Sequence, residues 1–593
     1  MAENIKAADE SASADRWALV QGRIDETREL TERMDATSSL VYLDKYTLMD
    51  FSGKKKLDNV ISVTGNRPSV FTNALVSDLM GGTWQTVVEG KGVTKRQASK
   101  IEQFIDDAFA DGDEMLMKKF GMSSLHDFHC NHICIRGRIG VRWLVTIEDG
   151  MLKVDCLPVD MRWTPYRFGT DGLKWIAPIT FRYASELQEE YPDIAIPTGT
   201  TSDELEVREY WDSVINDVMM GGVSMSSNAN PYGKPPFVVA IAPSGFMLRD
   251  RGYIKHEGED VLFQNRDLYK ELNRSLSIEQ SIGMDILRPP YEQEVDVMDG
   301  KPGQKPPLTN QTLKVPKGQK HQLLERKDLN QAFIGARGDL QRMEQEGGIS
   351  DAELGAVYGG ETTAAMIGRQ WEIRAKMMRS RQTALRISRE ESARMIIEQT
   401  IKANKDETGK LKIGRRGAKN EYNIQDLGDP ESYRITCTLM TKSKEMEIAN
   451  WAVAGAARGI APDSIIIRDI LMADKPEEWE RAIELQKAKE LDPVIGLIQM
   501  ALRYAEEAES LEDEVEADIK KLESMRLTEK AVQMIRLERQ PQPAQGQTSP
   551  QVTPQVPAKP NMQGLQSIPK LLGSGGGRGG GSGNGNRTPQ GVI

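Results

Sequence analysis

From Arg369 to Thr408 the chain runs for forty residues without a glycine or a proline. An unbroken helix of that length would measure about 60 Å at 1.5 Å per residue. A globular domain seldom holds such a helix, whereas an assembly of several copies can. The stretch carries Arg369, Arg374, Lys376, Arg379, Arg381, Arg386, Arg389, Arg394 and Lys402 against Glu372, Glu390, Glu391 and Glu398. This basic stripe reads either as a solvated face or as a surface meeting phosphates or acidic faces of neighbouring copies. The block Glu506, Glu507, Glu509, Glu512, Asp513, Glu514, Glu516 and Asp518 is a candidate counterpart, or a repulsive lining.

The approach to this helix is equally ordered. Asp260–Leu287 has a helical pattern whose Leu268, Leu272, Leu276, Ile278, Ile282 and Ile286 fall within about 160° at 100° per residue. Ser275 and Glu279 notch that arc. So broad a face suits a helix wedged between two identical neighbours, and Lys270 and Arg274 lie on the same helix as candidate channel or interface groups. Arg288-Pro289-Pro290 stops it. An insert to Lys327 follows, rich in proline, with Lys301, Lys305, Lys314, Lys317 and Lys320. Strand-like pieces are expected at Glu294–Val297 and Gln311–Val315. These lysines either keep the protrusion soluble or form a docking surface. Leu329–Glu346 is helical again, Gly347-Gly348 ends it, and a loop runs from Ile349 to Gly368.

The N-terminal half changes character along its length. Residues 1–13 are small and polar and are expected to be disordered. Helices are expected from about Asp15 to Ala36, over Pro68–Leu79 and over Lys95–Phe120. From Ile133 the chain reads as sheet: Val141–Ile147 and Met151–Leu157 flank Glu148-Asp149-Gly150, a hairpin signal. More strands are expected at Trp175–Tyr183, Leu205–Trp211 and Asp212–Met220, with a short helix at Ser185–Tyr191 and a polar loop at Gly221–Pro236. After the long helix, strands return at Lys410–Ile413, Tyr422–Gln425 and Tyr433–Met440. Helices follow at Lys442–Arg458, Pro462–Met472, Glu477–Glu490 and Pro493–Gln540. Residues 541–593 are Pro/Gln-rich, then Gly-rich, and are expected to be disordered. The fold class implied is α+β, mostly helical.

With 88 acidic and 77 basic residues the net charge is −11, which disfavours bulk nucleic-acid binding. No apolar run approaches the ~20 residues of a membrane span, and the polar start is not a signal peptide. Four cysteines make no disulfide framework. Three of the five histidines and two of the four cysteines crowd into His126, His129, Cys130, His132 and Cys134. Zinc wants four N or S ligands, but this spacing matches no known finger. Residues from 133 read as a strand that would send His132 and Cys134 to one face. The cluster is therefore a buried junction or, alternatively, a metal site. No Gly-x-x-x-x-Gly-Lys-Ser/Thr and no Gly-x-Ser-x-Gly occurs, and adjacent carboxylates such as Asp106-Asp107 diverge on a helix. No catalytic residue and no cofactor is expected.

The order helix, Pro/Lys insert, helix, Gly-bounded loop, long helix resembles the stem, clip, stem, tunnel-loop and tunnel-helix series of tailed-bacteriophage portal (head-to-tail connector) proteins. The likeness covers roughly residues 14–540. Asn66-Arg67-Pro68, Gly137–Val145, Arg208-Glu209-Tyr210-Trp211-Asp212 and Pro235-Pro236-Phe237-Val238 are similar to that family's wing. Ala457-Arg458-Gly459-Ile460-Ala461-Pro462-Asp463-Ser464, leading to Lys475-Pro476-Glu477-Glu478-Trp479-Glu480, is similar to its "Gly-Ile, Ser, helix, Asp-Pro-Glu-Glu, helix" pattern, with Lys475 where Asp is frequent. The order carries the resemblance, since no single motif is specific.

The resemblance implies a wing at 14–259 completed by 409–490, stem helices at 260–287 and 328–348, a clip at 288–327, a tunnel loop at 349–368, a tunnel helix at 369–408 and a crown-like helix at 491–540. It implies a dodecameric ring at one capsid vertex of the virion, assembled in the host cytoplasm, through which double-stranded DNA is packaged and ejected. Glu353, Tyr358, Glu361 and Thr362 would sit on the channel loop. Implied partners are the terminase large subunit, neck or tail adaptors, and capsid and scaffold proteins. A head–tail adaptor and a metal-dependent hydrolase centred on His126–Cys134 are the competing readings.

Overall fold

The computed structural model describes residues 2–50, 52–58, 60–148, 150–192, 204–242, 251–287, 291–295, 312–316, 331–348, 364–404, 410–414, 419–440, 444–458, 460–473, 476–510 and 514–539. The chain divides into two compact units, 1–488 and 489–593. The class is α+β.

The first unit opens with α1 (Ala2–Glu26) and α2 (Arg28–Val41), separated at Thr27. The first helix thus starts at Ala2 rather than near Asp15 and takes in residues expected to be disordered, and the single helix expected to Ala36 is two. α3 (Arg67–Met80) leads into β1 (Thr83–Glu89) and α4 (Lys95–Phe120). The limits of α4 match the expected ones because both ends are capped by local chemistry. The Thr94 side chain accepts from the Gln97 amide, and Gly121 closes the C-terminus at φ +67°.

α5 (Leu125–Arg136) corrects the expectation of a strand from Ile133. The Ser124 side chain accepts from the Asp127 amide, and Gly137 at φ +68° ends the helix. A helix start and stop therefore enclose the whole His/Cys cluster. The run of strands expected from Ile133 begins only after it, with β2 (Arg138–Glu148) and β3 (Met151–Val159) forming the expected hairpin.

β4 (Tyr166–Gly169), β5 (Gly172–Ile176) and β6 (Ile179–Tyr183) precede the short helix α6 (Ala184–Glu190). β7 (Glu204–Trp211), β8 (Ile215–Met220), β9 (Val223–Ala229) and β10 (Phe237–Ile241) follow. β9 lies inside the expected 221–236 loop. Gly221 and Gly222 both have positive φ, at +58° and +86°, which makes them a tight hairpin turn joining β8 to β9.

α7 (Arg266–Leu287) starts six residues later than expected. β11 (Tyr291–Val295) and β12 (Thr312–Pro316) pair in parallel. α8 (Gln331–Gly347) and the 40-residue α9 (Ala364–Ala403) come next. α9 begins within the expected loop, so Gly368 is helical, and it ends before Thr408. β13 (Lys410–Ile413), β14 (Asn420–Asn423), the single turn α10 (Ile424–Leu427), β15 (Arg434–Met440), α11 (Lys444–Ala457), the turn α12 (Asp463–Ile465) and α13 (Pro476–Leu491) complete the series.

Two sheets dominate the first unit. One has the order β10-β2-β3-β13-β14, and the other runs β4-β5-β7-β8-β9 with β6 paired to β7. β1 and β15 form a separate antiparallel pair. The main core lies between α4, the C-terminal half of α9 and the first sheet, around Phe104, Ile105, Trp143, Val154, Ile396, Ile397, Leu411 and Ile435. Gln399 fastens α9 to that sheet: its Nε2 donates to the Trp143 carbonyl at 2.8 Å, and its Oε1 accepts from the Val145 amide at 3.0 Å. A second core joins α2, α3, α5, α7 and α9 through Leu75, Ile133, Tyr269 and Leu385.

The second unit contains α14 (Pro493–Ser510) and α15 (Glu514–Arg539), packed against each other. They replace the single helix expected from Pro493 to Gln540. Among the described residues no helix is long and apolar enough to cross a membrane.

Candidate functional site at the root of the helical arm

β10 and β13 belong to the same sheet. Between them the chain leaves that sheet along α7, makes the β11–β12 pair, returns along α8 and re-enters along α9. α7 and α8 pack side by side and form an arm. Its root holds a dense set of polar contacts.

One face of α7 is tied to an extended segment of the same chain. The amide of Gly65 donates to Asn273 Oδ1 at 2.8 Å, that of Val63 to Ser277 Oγ at 2.8 Å and that of Ile61 to Ser281 Oγ at 3.0 Å. Each serine also donates back to a carbonyl four residues earlier, at 2.7 Å. A hydroxyl has one donor and two acceptor sites, so it can serve both at once. Residues 273, 277 and 281 share a helix face, and amides 61, 63 and 65 share one side of an extended chain.

The apolar arc of α7 is less well covered. Leu272 is buried, but Leu268, Leu276, Ile278 and Ile282 are only half-buried. α8 is held by an Arg337–Glu279 ion pair and by Asn265, whose Nδ2 donates to the Glu344 carbonyl at 2.8 Å. Glu344 also receives Arg67 at 2.9 Å.

Behind α7 sits a buried ionic knot. Asp260 is 2% exposed and accepts from Thr37 Oγ1 at 2.8 Å, Arg266 at 2.5 Å and the Leu262 amide at 2.9 Å. Arg33 reaches Glu259 at 3.2 Å and the Gly258 carbonyl at 2.7 Å. Burial lowers the Arg33 pKa to about 10; Glu259 and Asp260 oppose the shift, and Arg138 and Arg266 add to it. From α9, Arg381 donates to the carbonyls of Glu259 and Asp260 at 3.0 and 2.8 Å. α2, α7 and α9 therefore converge on residues 257–260.

Lys270 and Arg274 open onto a cleft of about 650 Å³ bounded by α2, residues 44–53 and α7. Lys45 and Asp50 share it, and Arg274 lies 4.0 Å from Glu271. Arg369, Arg374 and Lys376 lie on α9, with their side chains outside the described residues. Lys314 lies on β12 in the same position. Glu353, Tyr358, Glu361, Thr362, Lys301, Lys305, Lys317 and Lys320 lie outside the described residues altogether. Two basic residues of α9 point inward rather than outward. Arg381 joins the knot. Arg389 is sandwiched between Trp84 and Phe109, with ring centroids at 5.1 and 4.1 Å, and lies 3.7 Å from Asp106.

The His/Cys cluster is helical, so His126, His129, Cys130 and Cys134 do not follow strand alternation. His126 takes the Trp84 indole N–H on Nδ1 at 3.2 Å, faces the Leu79 carbonyl through Nε2 at 3.1 Å and lies 3.5 Å from Cys130 Sγ. His132 points elsewhere and stacks on Phe128 at 3.9 Å. Burial pushes the Cys134 thiol up to about 12 and raises Cys130 as well. Among the described residues no group of three or more His, Cys, Asp or Glu side chains is placed to hold a metal.

Burial also lowers the His129 pKa to about 3 and depresses His126 and His132. Between pH 6.5 and about 3 the unfolded chain therefore binds a proton at residue 129 that the folded chain refuses. Stability should drop as pH is lowered through that window, by about 1.4 kcal/mol per unit from this residue. His129→Asn should flatten the dependence of the unfolding midpoint between pH 6 and 4. An unchanged slope would mean that residue 129 is not the buried neutral imidazole described.

Sequence reasoning missed Asn273, Ser277, Ser281, Asp260 and Gln399. Only the first three left a trace, a polar i, i+4, i+8 stripe on an otherwise amphipathic helix. Compared with known protein families and with curated proteins, the chain finds no match.

Proposed function

We propose that this chain is the portal subunit of a tailed bacteriophage: a ring-forming protein at one capsid vertex through which double-stranded DNA is packaged and ejected. The observation that carries the reading is the arm. A mixed α/β body is interrupted within one sheet by helix, strand pair, helix and a 40-residue helix that leads back to the same sheet. This is the stem, clip, stem and tunnel-helix order expected of such subunits. The half-buried apolar residues of α7 support it, because identical neighbours in a ring would complete their burial.

On this reading the work is steric and electrostatic. DNA must pass without being held, so a lining should neither read bases nor gather many phosphate contacts. A chain of net charge −11 suits that requirement. Lys270 and Arg274 serve as channel or interface groups, and the β11–β12 end of the arm meets the terminase and later the neck or tail proteins.

Negative-stain electron microscopy of the purified full chain, with light scattering for mass, tests this. Rings with a central hole and a mass near twelve subunits are expected. A homogeneous monomer would overturn the proposal and favour a head–tail adaptor.

A further inference from the structure

The histidine cluster borders a small space that neither the core nor the arm explains. A cavity of about 30 Å³ lies between α5, α4, β1 and α9, lined by Trp84, Phe109, Asp113, His129, Arg389 and Ser392 among others. Three of the residues that line it each carry a side-chain atom shut off from solvent and without a hydrogen-bond partner: His129 Nε2, Arg389 Nε and Ser392 Oγ. His129 is 5% and Ser392 1% exposed. A buried polar group left unpaired costs about 1–3 kcal/mol in general, so three at one cavity call for an occupant.

The chemistry of the lining selects it. Of the two His129 ring nitrogens, only Nε2 is buried without a partner. With the proton of the neutral ring on Nδ1, Nε2 needs a donor. Arg389 Nε carries a hydrogen and needs an acceptor. Ser392 Oγ can take either role. A cation is disfavoured by the guanidinium, and an anion by Asp113 in the lining and by Asp106, 3.7 Å from Arg389. The occupant must be small, neutral, and both donor and acceptor. One water needs roughly 10–15 Å³ of probe-occupied space and two to four polar partners.

We infer that this cavity is a buried hydration site, in which an ordered water accepts from Arg389 Nε, donates to His129 Nε2 and completes the Ser392 hydroxyl. It bridges α5 to the long helix α9. The histidine that the sequence offers to a metal serves a water instead, and the inference is independent of the proposed function.

A map of the full chain fine enough to show ordered water tests it directly, with anomalous data collected at the zinc edge and after a bromide soak. A peak of water weight within hydrogen-bond distance of His129 Nε2 and Arg389 Nε is expected. A dry cavity, a zinc signal or a bromide signal there would each overturn the inference. Two variants give a second readout. Ser392→Ala keeps the space and should keep the peak. Ser392→Val fills it, and should lose the peak and melt at a lower temperature than Ser392→Ala. Equal melting of the two would count against a bound water.

Discussion

Gly137→Ala is expected to destabilise the first unit by about 3–6 kcal/mol, more than a left-handed backbone alone explains. Gly137 has φ +68°, where a side chain costs roughly 1–2 kcal/mol. A Cβ there would also lie 2.0 Å from the Gly258 carbonyl oxygen and 2.4 Å from its carbon. Backbone cannot rotate away as a side chain can. Relief requires the 257–260 segment to move, which would strain the bonds of Arg33 to Gly258 and of Arg138 to Glu257. Each buried donor left unpaired adds about 1–3 kcal/mol. Gly121 is the internal control, since it has φ +67° but nothing within 4 Å of its would-be Cβ. Denaturant unfolding should separate Gly137→Ala from Gly121→Ala by at least about 2 kcal/mol. Equal losses would show that the α5 terminus does not meet residue 258 as closely as described.

Asp260→Ala should cost about 3–5 kcal/mol, the range for removing one partner of a buried ion pair. The loss is mostly not that of the Asp260 contacts themselves. It comes from Arg266 and Arg33, which remain buried in a knot that has lost one of its carboxylates. Asp260→Asn separates the terms: the amide keeps an oxygen for Thr37 or for the Leu262 amide but removes the charge. It should fall between wild type and Asp260→Ala in urea or thermal melts. Asp339→Ala removes an exposed partner of Arg342 and should change stability by about 0.5 kcal/mol or less. If Asp260→Ala were as mild as that, the knot would not hold α2, α7 and α9 together.

Much of the fold was legible because local chemistry states it. α4 declares both ends through Thr94 and Gly121, and Glu148-Asp149-Gly150 announces the β2–β3 hairpin. Most of α9 follows from the lack of any breaker after Gly368, although the helix starts before that glycine and stops at Ala403. α5 was misread because His and Cys give little periodic contrast, although Ser124, Asp127 and Gly137 were there to mark its limits. β9 was missed for a different reason. Val223-Ser-Met-Ser-Ser-Asn-Ala is a polar edge strand paired only to β8, and edge strands need no apolar alternation. The pairing of β13 with β3 joins Lys412 to Met151 across the whole arm, and no local pattern reports it. The site was harder still. Asn273, Ser277 and Ser281 bond backbone amides more than two hundred residues earlier. Backbone partners leave no side-chain signature, so only the spacing of the acceptors could be seen.

The tie between α7 and residues 61–65 has a mechanical consequence. Four helical residues advance about 6.0 Å, and two extended residues about 6.6 Å. The two rulers nearly agree, so three rungs fit within hydrogen-bond tolerance, but the misfit grows with every repeat and the coupling limits its own length. Sliding the segment by one residue would turn all three amides away from the helix, and only a two-residue step realigns them. The arm root is therefore indexed, holding its position in increments of one helical turn and resisting any smaller displacement.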